Sequence, residues 1–375
     1  MSEREILEKA YSDAVKLNAD NVSDIIRKDI DILIENIDSN KSLVSALTTS
    51  LLKKITTPNQ DIRLHRTVFE NGYSARVLDT NMTSPFFKNY FPKYANKESS
   101  FLTLATREEI KWNKKDGINL KIRNKKLREA FLNIFDQVET FKKDPKKYLA
   151  YLFFKLIKLS ENSEDLFQKT ERQKMGNSNV LNINTILAML AKHFEIKKSS
   201  RLPVIAIYSI YEVLFNKFDR YKNKRLMPLQ AHTSSDKRGF GDIEIYTKDN
   251  KPFEIVEIKH NIPIDEYLIF DVIKKISKIE VDRYYILTTF HNTFENASDE
   301  NKISDLILRT KKERGADIIA NGILTTLKYY LRFIDNYDDF LKYYTKNLIN
   351  DAKVSTEVKD FHIEEWNKIR ESCNG

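Results

Sequence analysis

GDIEIYTKDNKPFEIVEIK, residues 241–259, decides the fold. Its two ends alternate apolar and polar residues, as strands with one buried face do, and Asp249 and Asn250 between them are turn formers. The simplest reading is a hairpin centred on that pair, which sets Asp242 opposite Glu257. Directly opposed residues bring their Cβ atoms to about 4.5–5.5 Å, where two bare carboxylates repel unless something positive lies between them. Lys259 is two residues beyond Glu257 and projects from the same face of its strand.

Two readings of this trio are open. In the first, Asp242 and Glu257 hold a divalent cation. Lys259 then orients or deprotonates an attacking water and stabilises charge developing on phosphorus. In the second, the acids and the lysine make ordinary cross-strand pairs on a wet antiparallel face. By strand alternation Phe253 and Ile255 share that face, so it is not simply solvated.

Outward from the hairpin the period changes. Upstream, Ser199 and Ser200 cap a helix that carries Pro203 near its first turn and runs to about Phe218, preceded by a helix over Asn184–Phe194. Downstream, a helix over about Asp265–Ile279 leads to the strand RYYILTTF. Another helix, the apolar piece ADIIANG and further helices complete the chain. The first 55 residues read as helices, with Ile6, Ala10, Ala14 and Leu17 at three- and four-residue steps. Gln60–Asn119 reads as loops and short strands, and Lys121–Val138 and Pro145–Leu159 as helices. Glu161–Asn179 has the composition of a linker or exposed loop.

The expected fold is therefore α/β: a mixed sheet flanked by helices over residues 180–350, a mostly helical domain over 1–160 and a helical tail over 351–375. No apolar run approaches the roughly 18 residues of a membrane span, and the charged start MSEREILEKAY lacks the apolar core of a secretory signal, which points to the cytoplasm and to no membrane partner. The single cysteine, Cys373, excludes an internal disulfide and a cysteine-rich zinc site. A net charge of +9 and a pI near 9.1 fit a polyanionic partner, and equally a merely solvated basic surface.

Gly241-Asp242 followed by Glu257-Ile258-Lys259 resembles the PD-(D/E)XK nuclease superfamily. The longer text SSRLPVIAIYSIYEVLFNKF, LMPLQAHTSSDKRGFGDIEIY, PFEIVEIKHNIPI and RYYILTT is similar to type II restriction endonucleases paired with DNA cytosine-5 methyltransferases, and RVLDTNMTSPFFKNYFPKYANKES to the same group. Gly241 stands where the superfamily name has Pro.

The resemblance implies a restriction-endonuclease-like core and Mg²⁺-dependent, site-specific hydrolysis of double-stranded DNA to 5′-phosphate ends. Asp242 and Glu257 would be the metal ligands and Lys259 the catalytic lysine, with the Ile258 carbonyl as a further ligand and Glu212, on the preceding helix, as an added catalytic carboxylate. A cognate DNA methyltransferase encoded alongside is the implied functional partner, and the two-fold symmetry of palindromic sites makes a homodimer a further expectation. Another nuclease of the superfamily, acting in repair or on particular structures, and a non-catalytic DNA-binding module are the alternatives.

The polar loop LQAHTSSDKRGF enters the hairpin from upstream. His232, Ser234, Ser235, Lys237 and Arg238 can contact phosphates or base edges, Arg being suited to bidentate pairing with guanine. Such a loop is equally a plain connector. The basic runs near Lys111–Lys115 and Lys121 fit phosphate tracking as well as they fit a solvated helix.

Overall fold

The computed structural model describes residues 1–173, 181–229 and 239–373. The chain divides into two compact units, Met1–Asp165 with Lys353–Thr356, and Leu166–Ala352 with Glu357–Gly375.

The first unit is helical: α1 (Glu3–Val15), α2 (Asp24–Glu35), α3 (Ile37–Thr56), α4 (Ala75–Leu78), α5 (Ser84–Tyr90), α6 (Lys125–Glu139) and the greater part of α7 (Pro145–Arg172). Ser2 opens α1 with a capping box, its hydroxyl accepting from the Glu5 amide while Glu5 accepts from the Ser2 amide. The core packs Leu47, Leu51, Phe87, Trp112, Phe131 and Phe135.

Between residues 60 and 119 there is no strand among the described residues, contrary to the expectation of short strands there. A buried carboxylate organises part of this segment instead. Asp79 accepts from Ser45 Oγ at 3.1 Å, Thr49 Oγ1 at 3.2 Å, Ser99 Oγ at 2.7 Å and the Ser100 amide at 2.7 Å. Side-chain bonds of this kind satisfy buried polar groups that a strand would satisfy in a ladder.

A second correction concerns Glu161–Asn179, whose first part continues α7 as far as Arg172. Ser163, Phe167 and Thr170 are buried at i, i+4 and i+7. One helical stripe is thus hidden within a stretch whose overall composition is polar.

The second unit comprises α8 (Ile183–Phe194), α9 (Arg201–Leu214), β1 (Lys224–Leu226), β2 (Ile243–Thr247), β3 (Pro252–Lys259), α10 (Glu266–Ile276), β4 (Arg283–Thr288), α11 (Ala297–Arg314), β5 (Asp317–Gly322), α12 (Ile323–Leu331), α13 (Tyr337–Val354) and α14 (Asp360–Ser372). The strands form one mixed sheet in the order β1-β2-β3-β4-β5. The first three run antiparallel and the last three parallel, so ADIIANG, expected only as an apolar piece, supplies the parallel edge strand β5. The unit is α/β.

Alternation along β2, β3 and β4 makes two apolar layers. Ile243, Ile245, Val256, Ile258 and Leu287 pack with residues of α9 and α12. Ile255, Tyr284 and Ile286 pack on the other face with Ile269 and Val272 of α10 and Ile303 of α11. These two helices are the crossovers between parallel strands, which parallel pairing requires. Beyond residue 350 the chain is largely helical, and Ile363 and Trp366 of α14 lie fully buried in the first of these layers.

Candidate active site

The β2–β3 hairpin turns at Asn250, whose φ of 60° is the left-handed conformation that Asn tolerates, with the Asn250 amide donating to the Thr247 carbonyl at 3.1 Å. Its ladder pairs Ile243 with Val256, Glu244 with Ile255 and Ile245 with Glu254, the register that a turn at residues 249 and 250 predicts. Closer to the turn, Tyr246 pairs with Pro252 and Phe253 is the extra residue of a β-bulge. The bulge breaks the alternation, so Phe253 packs with the α9 layer and lies under the cations of Arg220 and Lys224 rather than sharing the face of Ile255.

Asp242 lies one residue beyond the last ladder pair, where the register runs on to Glu257. Its amide donates to the Val256 carbonyl at 2.8 Å, and its Oδ2 accepts from the Ile258 amide at 2.7 Å. Gly241 makes this approach possible. A Cβ there would stand 2.5 Å from Ile255 Cγ2 and 2.8 Å from the Val256 carbonyl oxygen. Any side chain, including the ring of a Pro, would push the strand entry away from β3, which accounts for Gly at this position.

Glu257 is gripped from two elements. Lys259 Nζ donates to its Oε1 at 2.8 Å, and Lys275 Nζ, from the last turn of α10, to its Oε2 at 2.8 Å. The Tyr284 hydroxyl of β4 lies 3.3 Å from Oε2 and donates to the Phe240 carbonyl at 2.6 Å. Glu244 accepts from the amides of Phe240 and Gly241, and from the Tyr246 hydroxyl at 3.1 Å, which ties down the chain entering Asp242.

The electrostatics of the two carboxylates diverge. Burial, reinforced by the charge of Glu257, pushes Asp242 up to about 6 and outweighs the opposing Ile258 amide, Lys259 and Arg201. Burial also acts on Glu257, but Lys275 and Lys259 outweigh it and hold this carboxyl below its ordinary value. Burial raises the Tyr284 hydroxyl, with help from Glu257, Asp242 and Glu244. Three acids therefore act on one phenol, on the sheet face covered by α10 and α11.

Oxygen ligands are those a hard divalent cation takes. The Phe253 and Lys259 carbonyls accept from Asp282 and Thr289, whereas the Val256 carbonyl accepts from Asp242. By strand alternation the Ile258 carbonyl then faces the Asp242 side. Two carboxylates and this carbonyl are oxygen donors of the kind such an ion takes, although both oxygens of Glu257 accept from lysines and one of Asp242 from the Ile258 amide. No group of three or more His, Cys, Asp or Glu able to hold a metal occurs among the described residues.

The structure brings Asp242, Glu257, Ile258 and Lys259 together and leaves Glu212 elsewhere. Glu212 sits near the end of α9 and accepts a hydrogen bond from Asn347 Nδ2 of α13, and burial raises its pKa. Arg201, at the other end of α9, is the residue of that helix that acts on Asp242, and it pairs with Asp351 at 2.7 Å. Eleven residues of helix separate Arg201 from Glu212, about 16 Å at 1.5 Å per residue. His232, Ser234, Ser235, Lys237 and Arg238 lie outside the described residues.

Lys275, Tyr284 and Arg201 were not singled out from the sequence. Strand alternation could have found Tyr284, since Tyr284 and Ile286 share one face of β4. No linear signal marks Lys275, which arrives from a helix 18 positions after Glu257. No protein-family model and no curated protein matches this chain.

Proposed function

We propose that the chain is a type II restriction endonuclease that uses Mg²⁺ to hydrolyse double-stranded DNA at a specific site, leaving 5′-phosphate ends. The observation that carries this reading is the convergence of Asp242, Glu257 and Lys259 on one sheet face, with the charge of Glu257 disfavouring ionisation of Asp242. Buried like charges are costly without a cation to compensate them.

Asp242, Glu257 and the Ile258 carbonyl would hold the ion, and a bound Mg²⁺ supplies phosphoryl polarisation and a water of lowered pKa. Lys259, paired with Glu257 Oε1, is a cation of the chain at that point and would orient the attacking water and offset charge growing on phosphorus. Site-specific cutting, a partner methyltransferase and a dimer on palindromic DNA rest on the sequence resemblance. Repair or structure-selective cleavage by the same residues is the neighbouring activity.

A second reading, a DNA-binding module with a structural acidic hairpin, is favoured by one observation: both oxygens of Glu257 already accept from lysines. Incubation of supercoiled plasmid with the purified chain, with and without Mg²⁺, separates the two. Nicking or linearisation that requires Mg²⁺ supports the nuclease, and shifted but intact plasmid supports the module.

A further inference from the structure

We propose that a pocket in the first unit binds a phosphate group, through Arg66, Arg76 and Arg107 around a buried histidine. The pocket is a cavity of about 270 Å³, lined by these arginines with His65, Ser74 and Phe101 and by no carboxylate. Liquid water takes about 30 Å³ per molecule, so the space suits a group of several atoms.

His65 is only 1% exposed, yet it lines this cavity. Its ring stacks on Trp112 with centroids 3.9 Å apart at 15°, which fixes the plane of the imidazole. Backbone groups of Arg63, Glu108 and Thr106 lie near it, but neither ring nitrogen makes a hydrogen bond of good geometry. Burial lowers the ring to about 4, so at neutral pH it is uncharged with one N–H to give. The sealed, uncharged ring walls the cavity, and the groups that can meet an anion there are the arginines.

The surrounding loop is built to hold its shape. The Tyr73 amide donates to the Leu64 carbonyl at 3.0 Å and the Ala75 amide to the His65 carbonyl at 3.1 Å, closing the loop on itself. Arg66 is anchored by the Arg107 carbonyl and by Glu109 at 3.1 Å, whereas Arg76 and Arg107 are exposed. Guanidinium groups pair with phosphate in a bidentate fork, which the exposed Arg76 and Arg107 can offer at this pocket while Arg66 is held by its partners.

A phosphate of duplex DNA and that of a free nucleotide offer the same chemistry. The test measures binding of the full-length chain to a fluorescent duplex across a salt series in EDTA, and to dAMP by calorimetry. Wild type is compared with Arg76→Ala, Arg107→Ala and the double variant, with unfolding midpoints recorded alongside. Because EDTA removes any metal, the result does not depend on cleavage and stands even if the nuclease reading fails.

If the pocket takes a DNA phosphate, each substitution lowers the slope of log K against log salt by about 1. If it takes a free nucleotide, dAMP binds wild type and its affinity falls at least tenfold in the double variant, while the duplex slope is unchanged. Unchanged duplex slopes together with no arginine-dependent dAMP binding overturn the proposal. Should the double variant lose its fold, the single variants give the same readout, as both side chains are exposed.

Discussion

Asp242 is fastened to Ile258: the carboxylate at the entry to β2 accepts the backbone N–H of the residue between Glu257 and Lys259, at 2.7 Å. That bond holds the Asp242 carboxylate against β3 beside the residue that follows Glu257. It makes Asp242 a positioned group rather than a mobile side chain on a hairpin end.

The first prediction follows from the raised pKa of Asp242. A carboxyl whose folded pKa exceeds its unfolded value contributes stability below the unfolded value and loses it as pH rises through the folded one, here about 6. Ionised Asp242 therefore strains the metal-free protein at neutral pH. Asp242→Asn keeps an acceptor for the Ile258 amide and removes the charge, so it should raise the unfolding midpoint in EDTA at pH 8, by at most about 3 kcal/mol in stability. The gain should shrink toward pH 5. A variant less stable than wild type at pH 8 would contradict this.

Divalent cations should act on the same group with opposite preference. On the proposed reading Mg²⁺ binds the ionised carboxylate, so it should raise the melting temperature of wild type at pH 8 more than at pH 5.5, and leave Asp242→Asn nearly unmoved. Equal shifts in the two proteins would remove Asp242 from the ligand set.

Gly241 predicts a steric effect. Gly241→Ala places a methyl against the Val256 carbonyl, a backbone atom that cannot swing aside. The cost should be about 1–3 kcal/mol of stability, as for other overpacked sites, together with a loss of activity through displacement of Asp242. Calorimetry and a cleavage assay on the same preparation check both, and a fully stable, fully active variant would refute the close approach.

Lys275 and Lys259 should separate. Both hold Glu257 down, but Lys275 comes from α10 and is not required by the proposed chemistry. Lys275→Ala should raise the Glu257 pKa, read from the titration of that carboxyl in the metal-free protein, while sparing the rate on the plateau of the pH–rate profile. Lys259→Ala should lower the plateau itself. Identical profiles for the two variants would erase the distinction.

The hairpin was legible because a period of two and a pair of turn residues leave one register open, and a slip by a single residue would have reversed every apolar side chain. The bulge at Phe253 was not legible, since nothing in PFEIVEIK marks an inserted residue. Nor was the direction of Glu212. The helix α9 is apolar on most sides, with Leu202, Ile205, Ile207 and Ile210 all fully buried, so its sequence does not say which flank meets the sheet and which meets α13. Lys275 depends on how a crossover helix settles on the sheet, a tertiary outcome with no local signature. The helical end of α7 was hidden because its stripe is made of Ser163, Phe167 and Thr170, two of them polar.

The most direct test of the central claim is single-turnover cleavage of a DNA of known sequence by wild type, Asp242→Ala and Glu257→Ala, with duplex binding measured in parallel and the cut ends mapped. The account predicts discrete Mg²⁺-dependent fragments with 5′-phosphate ends for wild type. Each variant should lose about three orders of magnitude in rate, the consequence of several kcal/mol of lost transition-state stabilisation, while still binding DNA. Intact DNA at stoichiometric wild-type protein and Mg²⁺, or cleavage by Asp242→Ala at the wild-type rate, would contradict it.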